Sequence, residues 1–173
     1  METKTLAEGK YLGLYESGTW EFAARPNSTG VVGILPITDD GQLVLVEQFR
    51  VPVQARVIEI PAGLVGDEAE FVHESLTGTA RRELLEETGY SCAAIVPIGS
   101  GAPDPARFAC HAYYFLATGC VETAATDWDP TEEMELLKLP IAEVKRLLFA
   151  GEIVDSVQQS ALFYALHALG ELG

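Results

Sequence analysis

Positive charge is scarce in this chain. Its 173 residues hold 11 Lys and Arg against 26 Asp and Glu, a net charge of −15. Other polyanions repel so acidic a surface, which argues against non-specific binding to nucleic acid or to an anionic membrane. Cysteine is scarce too. Cys92, Cys110 and Cys120 are odd in number and nowhere show CxxC spacing, a pattern that speaks for reduced thiols and against a disulfide framework or a zinc site. No apolar run reaches the length that spans a bilayer. The first residues carry Glu2, Lys4, Glu8 and Lys10, so a cleavable signal peptide is not expected, and the cytoplasm is the expected location.

What is present describes a globular protein: 48% apolar residues and 21% charged ones, with enough length for one substantial core. Residues 1–30 read as a segment of short strands, Tyr11–Tyr15 and Thr19–Ala24, closed by the Pro26–Gly30 break. Residues 31–173 read as the main domain. Val31–Ile37 and Gln42–Phe49 flank the turn Thr38–Gly41 as a hairpin. Val57–Ile60 is a further strand, ended by Pro61-Ala62-Gly63. Ala94–Ile98, His111–Ala117 and Leu136–Leu139 are strands, and Ile141–Ala150 and Ser156–Leu169 have helical periodicity. A helix over about Leu76–Thr88 has Ser75 as its N-cap and Gly89 just past its end, although Gly78 weakens its first turn and could move its start toward Thr79. Strands interleaved with helices indicate an α/β fold with a mixed sheet and helices on both faces.

The helix holds the most informative residues. Glu83, Glu86 and Glu87 recur at i, i+3, i+4, which gathers them on one side. Glu83 and Glu87 lie only about 40° apart around the axis, beside the apolar stripe of Ala80 and Leu84. A solvated helix turns its acids away from the core. Negative charge concentrated next to a core calls for a positive partner, and a hard divalent cation with oxygen ligands suits it best. The alternative is an acidic surface helix whose charges are solvated or paired.

Glu74, then seven residues, then Arg82-Glu83-Leu84-Leu85-Glu86-Glu87-Thr88-Gly89-Tyr90 resembles the signature of the Nudix hydrolases, G-x5-E-x7-R-E-U-x-E-E-x-G-U, with U a bulky apolar residue. The departure lies at the front, where ten residues and not five separate Gly63 from Glu74; Asp67–His73 lengthens the loop ahead of the helix. The resemblance spans residues 31–169 and implies an α/β/α sandwich. It also implies Mg2+, with Mn2+ as a substitute, held by Glu83, Glu87 and the Ala62 carbonyl, with Glu86 as a further ligand or the holder of a bound water. Arg82 cannot bind a cation; pairing with Glu74 or Glu86, it would orient the carboxylates.

The catalytic base is open between a signature glutamate such as Glu86 and a carboxylate from a later loop. Asp127–Glu135 is similar to the acidic segment that precedes a strand in ADP-ribose-cleaving members. There Glu132 is the first choice and Glu133 the second, and a solvated acidic loop is the alternative.

Glu47-Gln48-Phe49-Arg50 followed by Glu59-Ile60-Pro61-Ala62-Gly63 resembles the segment preceding the signature in ADP-ribose and nucleoside-diphosphate-sugar pyrophosphatases. That likeness implies phosphate contact by Arg50, whose planar fork suits phosphate oxygens, and a place near the metal or terminal sugar for Glu59. An ion pair of Arg50 with Glu47 or Glu59 is the alternative. In this subgroup extra N-terminal strands form a homodimer and help bind the base, which suits the segment carrying Trp20 and Arg25. Trp20 could stack on a base, or simply pack. The expected activity is metal-dependent hydrolysis of ADP-ribose or an NDP-sugar to a nucleoside monophosphate and a sugar phosphate. The rivals are hydrolysis of nucleoside triphosphates or dinucleoside polyphosphates and, from another class, a nucleotide sensor that does not cleave.

Overall fold

The computed structural model describes residues 2–67, 69–128 and 134–172. Its strands are β1 (Thr3–Glu8), β2 (Gly13–Ser17), β3 (Trp20–Ala24), β4 (Gly30–Thr38), β5 (Gln42–Arg50), β6 (Ala55–Glu59), β7 (Ala62–Val65), β8 (Tyr90–Gly101), β9 (Phe108–Ala109), β10 (Ala112–Glu122) and β11 (Met134–Pro140). Its α-helices are α1 (Leu76–Thr88), α2 (Ile141–Phe149) and α3 (Ser156–Ala168).

The apolar run Gly30–Thr38 is buried along almost its whole length, which suits a central strand covered on both faces. It turns into β5 at Gly41, whose φ of 76° is open to glycine at no cost, and whose amide donates to the Thr38 carbonyl at 3.0 Å. The main sheet runs β11-β5-β4-β10-β8, with β6 added beside β5 and β7 beside β4. β10 lies parallel to β4 and every other pairing in this sheet is antiparallel, so the sheet is mixed.

Each face of the sheet has its own core. On one, Val32, Ile34, Val44 and Phe115 pack with Ala80 and Leu84 of α1. On the other, Leu35, Leu45 and Tyr114 pack with Val144 and Leu147 of α2 and with Ala161, Leu162 and Ala165 of α3. This is the α/β/α sandwich expected from the sequence. A second sheet, β1-β2-β3-β9, gathers the N-terminal strands with a two-residue piece of the later loop.

Several elements differ from the sequence reading. β1 is an additional strand, its six residues all exposed. Pro61-Ala62-Gly63 does not end the strand region, because Ala62–Val65 pairs with Gly30–Gly33 as β7. The helix does not slip toward Thr79. Ser75 caps it by accepting from the Gly78 amide at 3.1 Å, which offsets the helix-weakening effect of Gly78.

Candidate functional site

The acidic face of α1 takes its position from the helix's two ends and its apolar stripe. Thr79, Ala80, Leu84 and Thr88 are buried, which turns Glu83 and Glu87 toward the start of β7. At the far end Gly89 sits in the left-handed region with φ 74° and its amide donates to the Leu85 carbonyl at 2.8 Å. A β-carbon at Gly89 would overlap the Ala124 carbonyl oxygen, so the chain after β10 can lie directly on the end of the helix.

Two backbone positions receive the acids. The Ala62 amide donates to Glu87 Oε2 at 2.8 Å. The Glu83 carboxylate lies over Gly63, in space that any side chain there would fill. Burial pushes the Glu83 carboxyl up to about 7; the negative charge of Glu86 adds to the rise and the charge of Arg82 opposes it, with Asp67 a further raising influence. A carboxylate held in so unfavourable a place is what a divalent cation would stabilise.

Arg82 stands among the acids. Its Nη1 is 2.8 Å from both Glu83 Oε1 and Glu86 Oε2, and its Nε is 3.3 Å from Glu74 Oε2. The Phe71 ring covers its guanidinium at 4.3 Å from the centroid. Gly78 leaves room for Glu74, since a β-carbon there would meet Glu74 Cγ at 2.9 Å. Among the described residues no group of three or more His, Cys, Asp or Glu side chains is placed to hold a metal ion. The side chains here offer hard oxygens, a donor type that fits a cation that keeps waters and takes substrate oxygens as its remaining ligands. Glu83, Glu87, Glu86 and the backbone at Ala62 are therefore chemically suited to Mg2+ or Mn2+.

Arg50 and Glu59 form a two-pronged ion pair across β5 and β6, with Nε to Oε1 at 2.9 Å and Nη2 to Oε2 at 2.5 Å. Glu59 is buried while about half of the Arg50 side chain reaches solvent. Glu47 pairs instead with Arg56 at 2.6 Å. Trp20 and Arg25 lie with the second sheet. Trp20 is exposed and lines a recess of about 350 Å³ together with Phe22, Pro105 and Phe108. Arg25 lies against the Phe108 ring, 5.9 Å from its centroid. Its Nε is buried and accepted by no partner among the described residues. Glu132 and Glu133 lie outside the described residues.

Two residues that bear on the site had little signal in the sequence. Phe71 belongs to the lengthened loop, yet covers Arg82. Trp128, at the front of the acidic segment, donates through Nε1 to the Glu87 carbonyl at 2.6 Å, and the Asp127 amide donates to the Glu86 carbonyl at 2.8 Å. These bonds satisfy carbonyls in the last turn of α1, which have no partner inside the helix. The lone aromatic in each otherwise polar stretch is the only local hint.

A family model described as NUDIX domain matches residues 28–157. The chain is 29% identical over 181 residues to the ADP-ribose pyrophosphatase of Bacillus subtilis (strain 168), an alignment covering 95% of this chain and 92% of that protein. It is 33% identical over 139 residues to the methanol dehydrogenase activator of Bacillus methanolicus, covering 78% of this chain and 71% of the relative. Among solved structures, one described as the crystal structure of ADP compounds hydrolase matches with a TM-score of 0.80 at 20% identity, covering 99% of this chain and 95% of that one. At that identity the likeness concerns the fold.

Proposed function

Because the chain belongs to the NUDIX family, we propose that it is a divalent-metal-dependent hydrolase that opens the pyrophosphate of a nucleoside diphosphate derivative. ADP-ribose is the favoured substrate and NDP-sugars follow, with a nucleoside monophosphate and a sugar phosphate as products. The observation that carries this reading is the meeting of Glu83 and Glu87 with the backbone of Ala62 and Gly63. The near full-length similarity to an ADP-ribose pyrophosphatase supports the substrate class.

In this reading Glu83, Glu87 and the Ala62 carbonyl hold Mg2+, for which Mn2+ can substitute, and Glu86 is a further ligand or holds its water. Such a cation, when bound, withdraws charge from phosphorus and makes a bound water more acidic. Arg82, fixed by Glu74 and Phe71, keeps the carboxylates in place. Glu132 or Glu133 takes the proton of the attacking water, with Glu86 as the remaining choice. Arg50, held by Glu59, grips phosphate oxygens. Trp20 offers a ring for the base and Arg25 a charge beside it. The N-terminal sheet pairs with that of a second copy in a homodimer, and the protein acts in the cytoplasm.

The test is a Mg2+-containing screen of ADP-ribose, NDP-sugars, nucleoside triphosphates and dinucleoside polyphosphates, with products identified by mass. Preferential release of AMP and ribose 5-phosphate from ADP-ribose, lost in Glu87→Gln, is the expected result. Cleavage of triphosphates alone would overturn the substrate class. Equal rates for wild type and Glu87→Gln would overturn the metal assignment. Tight nucleotide binding with no turnover of any compound would favour a sensor.

A further inference from the structure

The antiparallel register of β8 and β10 sets Cys92 directly opposite Cys120. Directly opposed residues point to the same face with Cα atoms about 4.5–5.5 Å apart, inside the range of about 4.4–6.8 Å that a disulfide needs. Both cysteines belong to the core beneath α1, Cys120 buried within it and Cys92 packed at its border. The strands also come close at this point. Gly119 has φ 63°, and a β-carbon there would stand 2.8 Å from Ala93 Cβ. A side chain at 119 would hold the strands apart beside the pair.

The two sulfurs are unbonded to one another and differ in their surroundings. Cys92 is half-buried, and its Sγ accepts from Arg81 Nη1 at 3.2 Å, a group that also donates to the Cys92 carbonyl at 3.2 Å. Cys120 is 2% exposed and its Sγ donates to the Ala117 carbonyl at 3.5 Å, so facing Cys92 requires a rotation about χ1. Burial, the main cause, pushes the Cys120 thiol up to about 12.

We propose that Cys92 and Cys120 are a peroxide-oxidisable pair that closes into a disulfide across β8 and β10. The Cys92 thiolate attacks one oxygen of a hydroperoxide. The O–O bond breaks, an S–O bond forms and, with one proton taken up, water or an alcohol leaves; Cys92 is then a sulfenic acid. The Cys120 sulfur attacks that sulfenic sulfur. The S–S bond forms, the S–O bond breaks, and the departing hydroxide takes the Cys120 proton as water. Overall two thiols and one peroxide give one disulfide and two hydroxylic products. Accessibility assigns the first step to Cys92. Cys120 is protonated and shielded from peroxide, and it reacts only with a sulfenic acid formed beside it. Closure draws Cys92 Sγ away from Arg81 on α1, one residue before Arg82.

The test uses the full chain carrying Cys110→Ser, so that two thiols remain. A few equivalents of hydrogen peroxide are followed by alkylation and tandem mass spectrometry of peptides, with and without dithiothreitol. The expected result is an intramolecular link between the peptides of Cys92 and Cys120 that dithiothreitol removes. In Cys110→Ser combined with Cys120→Ser, the link is absent and dimedone labels Cys92. Should that second variant fail to fold, the first still decides. Conversion of Cys92 to sulfinic acid without a link, a link only between molecules, or two thiols that remain fully alkylatable would each overturn the proposal.

Discussion

The Glu83 carboxylate occupies the space that a β-carbon at residue 63 would need. The relationship joins the first residues of β7 to the middle of α1 and leaves Glu83 largely shielded beside backbone, where water cannot fully solvate it. Gly63 has no positive φ, so the need for glycine here is a need for room and does not reflect backbone conformation.

Gly63→Ala is therefore expected to displace Glu83 while leaving the sheet intact. Displacement of a reacting group by about 1 Å can cost on the order of 10²-fold in rate. Steady-state kinetics on ADP-ribose should show that loss in kcat, with circular dichroism unchanged. Wild-type kcat in Gly63→Ala would mean that the Glu83 position in this structure is not the working one.

Metal removal should act on the same residue. With chelator present, Glu83→Gln should melt no lower than wild type, because the substitution removes a carboxylate whose burial opposes its charge. Added Mg2+ should raise the wild-type melting temperature, since a ligand at a hundredfold excess over Kd adds about 2.7 kcal/mol, and should leave Glu83→Gln unmoved. Calorimetry or dye-monitored melting reads both. An equal Mg2+ shift in the two proteins would remove Glu83 from the ligand set.

The parts of this site that are local in sequence were legible, and the parts that depend on distant residues were not. Ser75 and Gly89 bound α1 because caps are local chemistry, and the spacing of Glu83, Glu86 and Glu87 places them on one side by helix geometry alone. β1 left no trace because its residues, Thr3–Glu8, are all exposed and carry no alternation of buried and open positions. β7 was hidden by Pro61 and Gly63, which read as a break until Gly30–Gly33 supplies a partner strand. The choice of Glu59 over Glu47 as the partner of Arg50 depends on the pairing of β5 with β6. Phe71 over Arg82 joins residues with no shared local pattern.

Trp20→Ala should separate base recognition from chemistry. If the recess of Trp20, Phe22 and Phe108 receives the base, KM for ADP-ribose should rise about tenfold, in keeping with base stacking worth roughly 1–3 kcal/mol, and kcat should hold. Sedimentation of the same variant checks that any change is not a loss of assembly. Unchanged KM would leave Trp20 as a surface residue of the second sheet.

Trp128 offers a test of how the end of α1 is held. Its indole N–H donates to the carbonyl of Glu87, the residue whose side chain meets the Ala62 amide, so one residue is held by both its backbone and its carboxylate. Trp128→Phe keeps an aromatic ring and removes the donor. A lost hydrogen bond of this kind costs about 1 kcal/mol, so chemical denaturation should show a small fall in stability. The larger effect should be on kcat, through Glu87, with KM for ADP-ribose nearly constant. A purely structural role would show only the small fall in stability and leave kcat intact; a clear fall in kcat beside that small loss of stability assigns Trp128 to positioning Glu87.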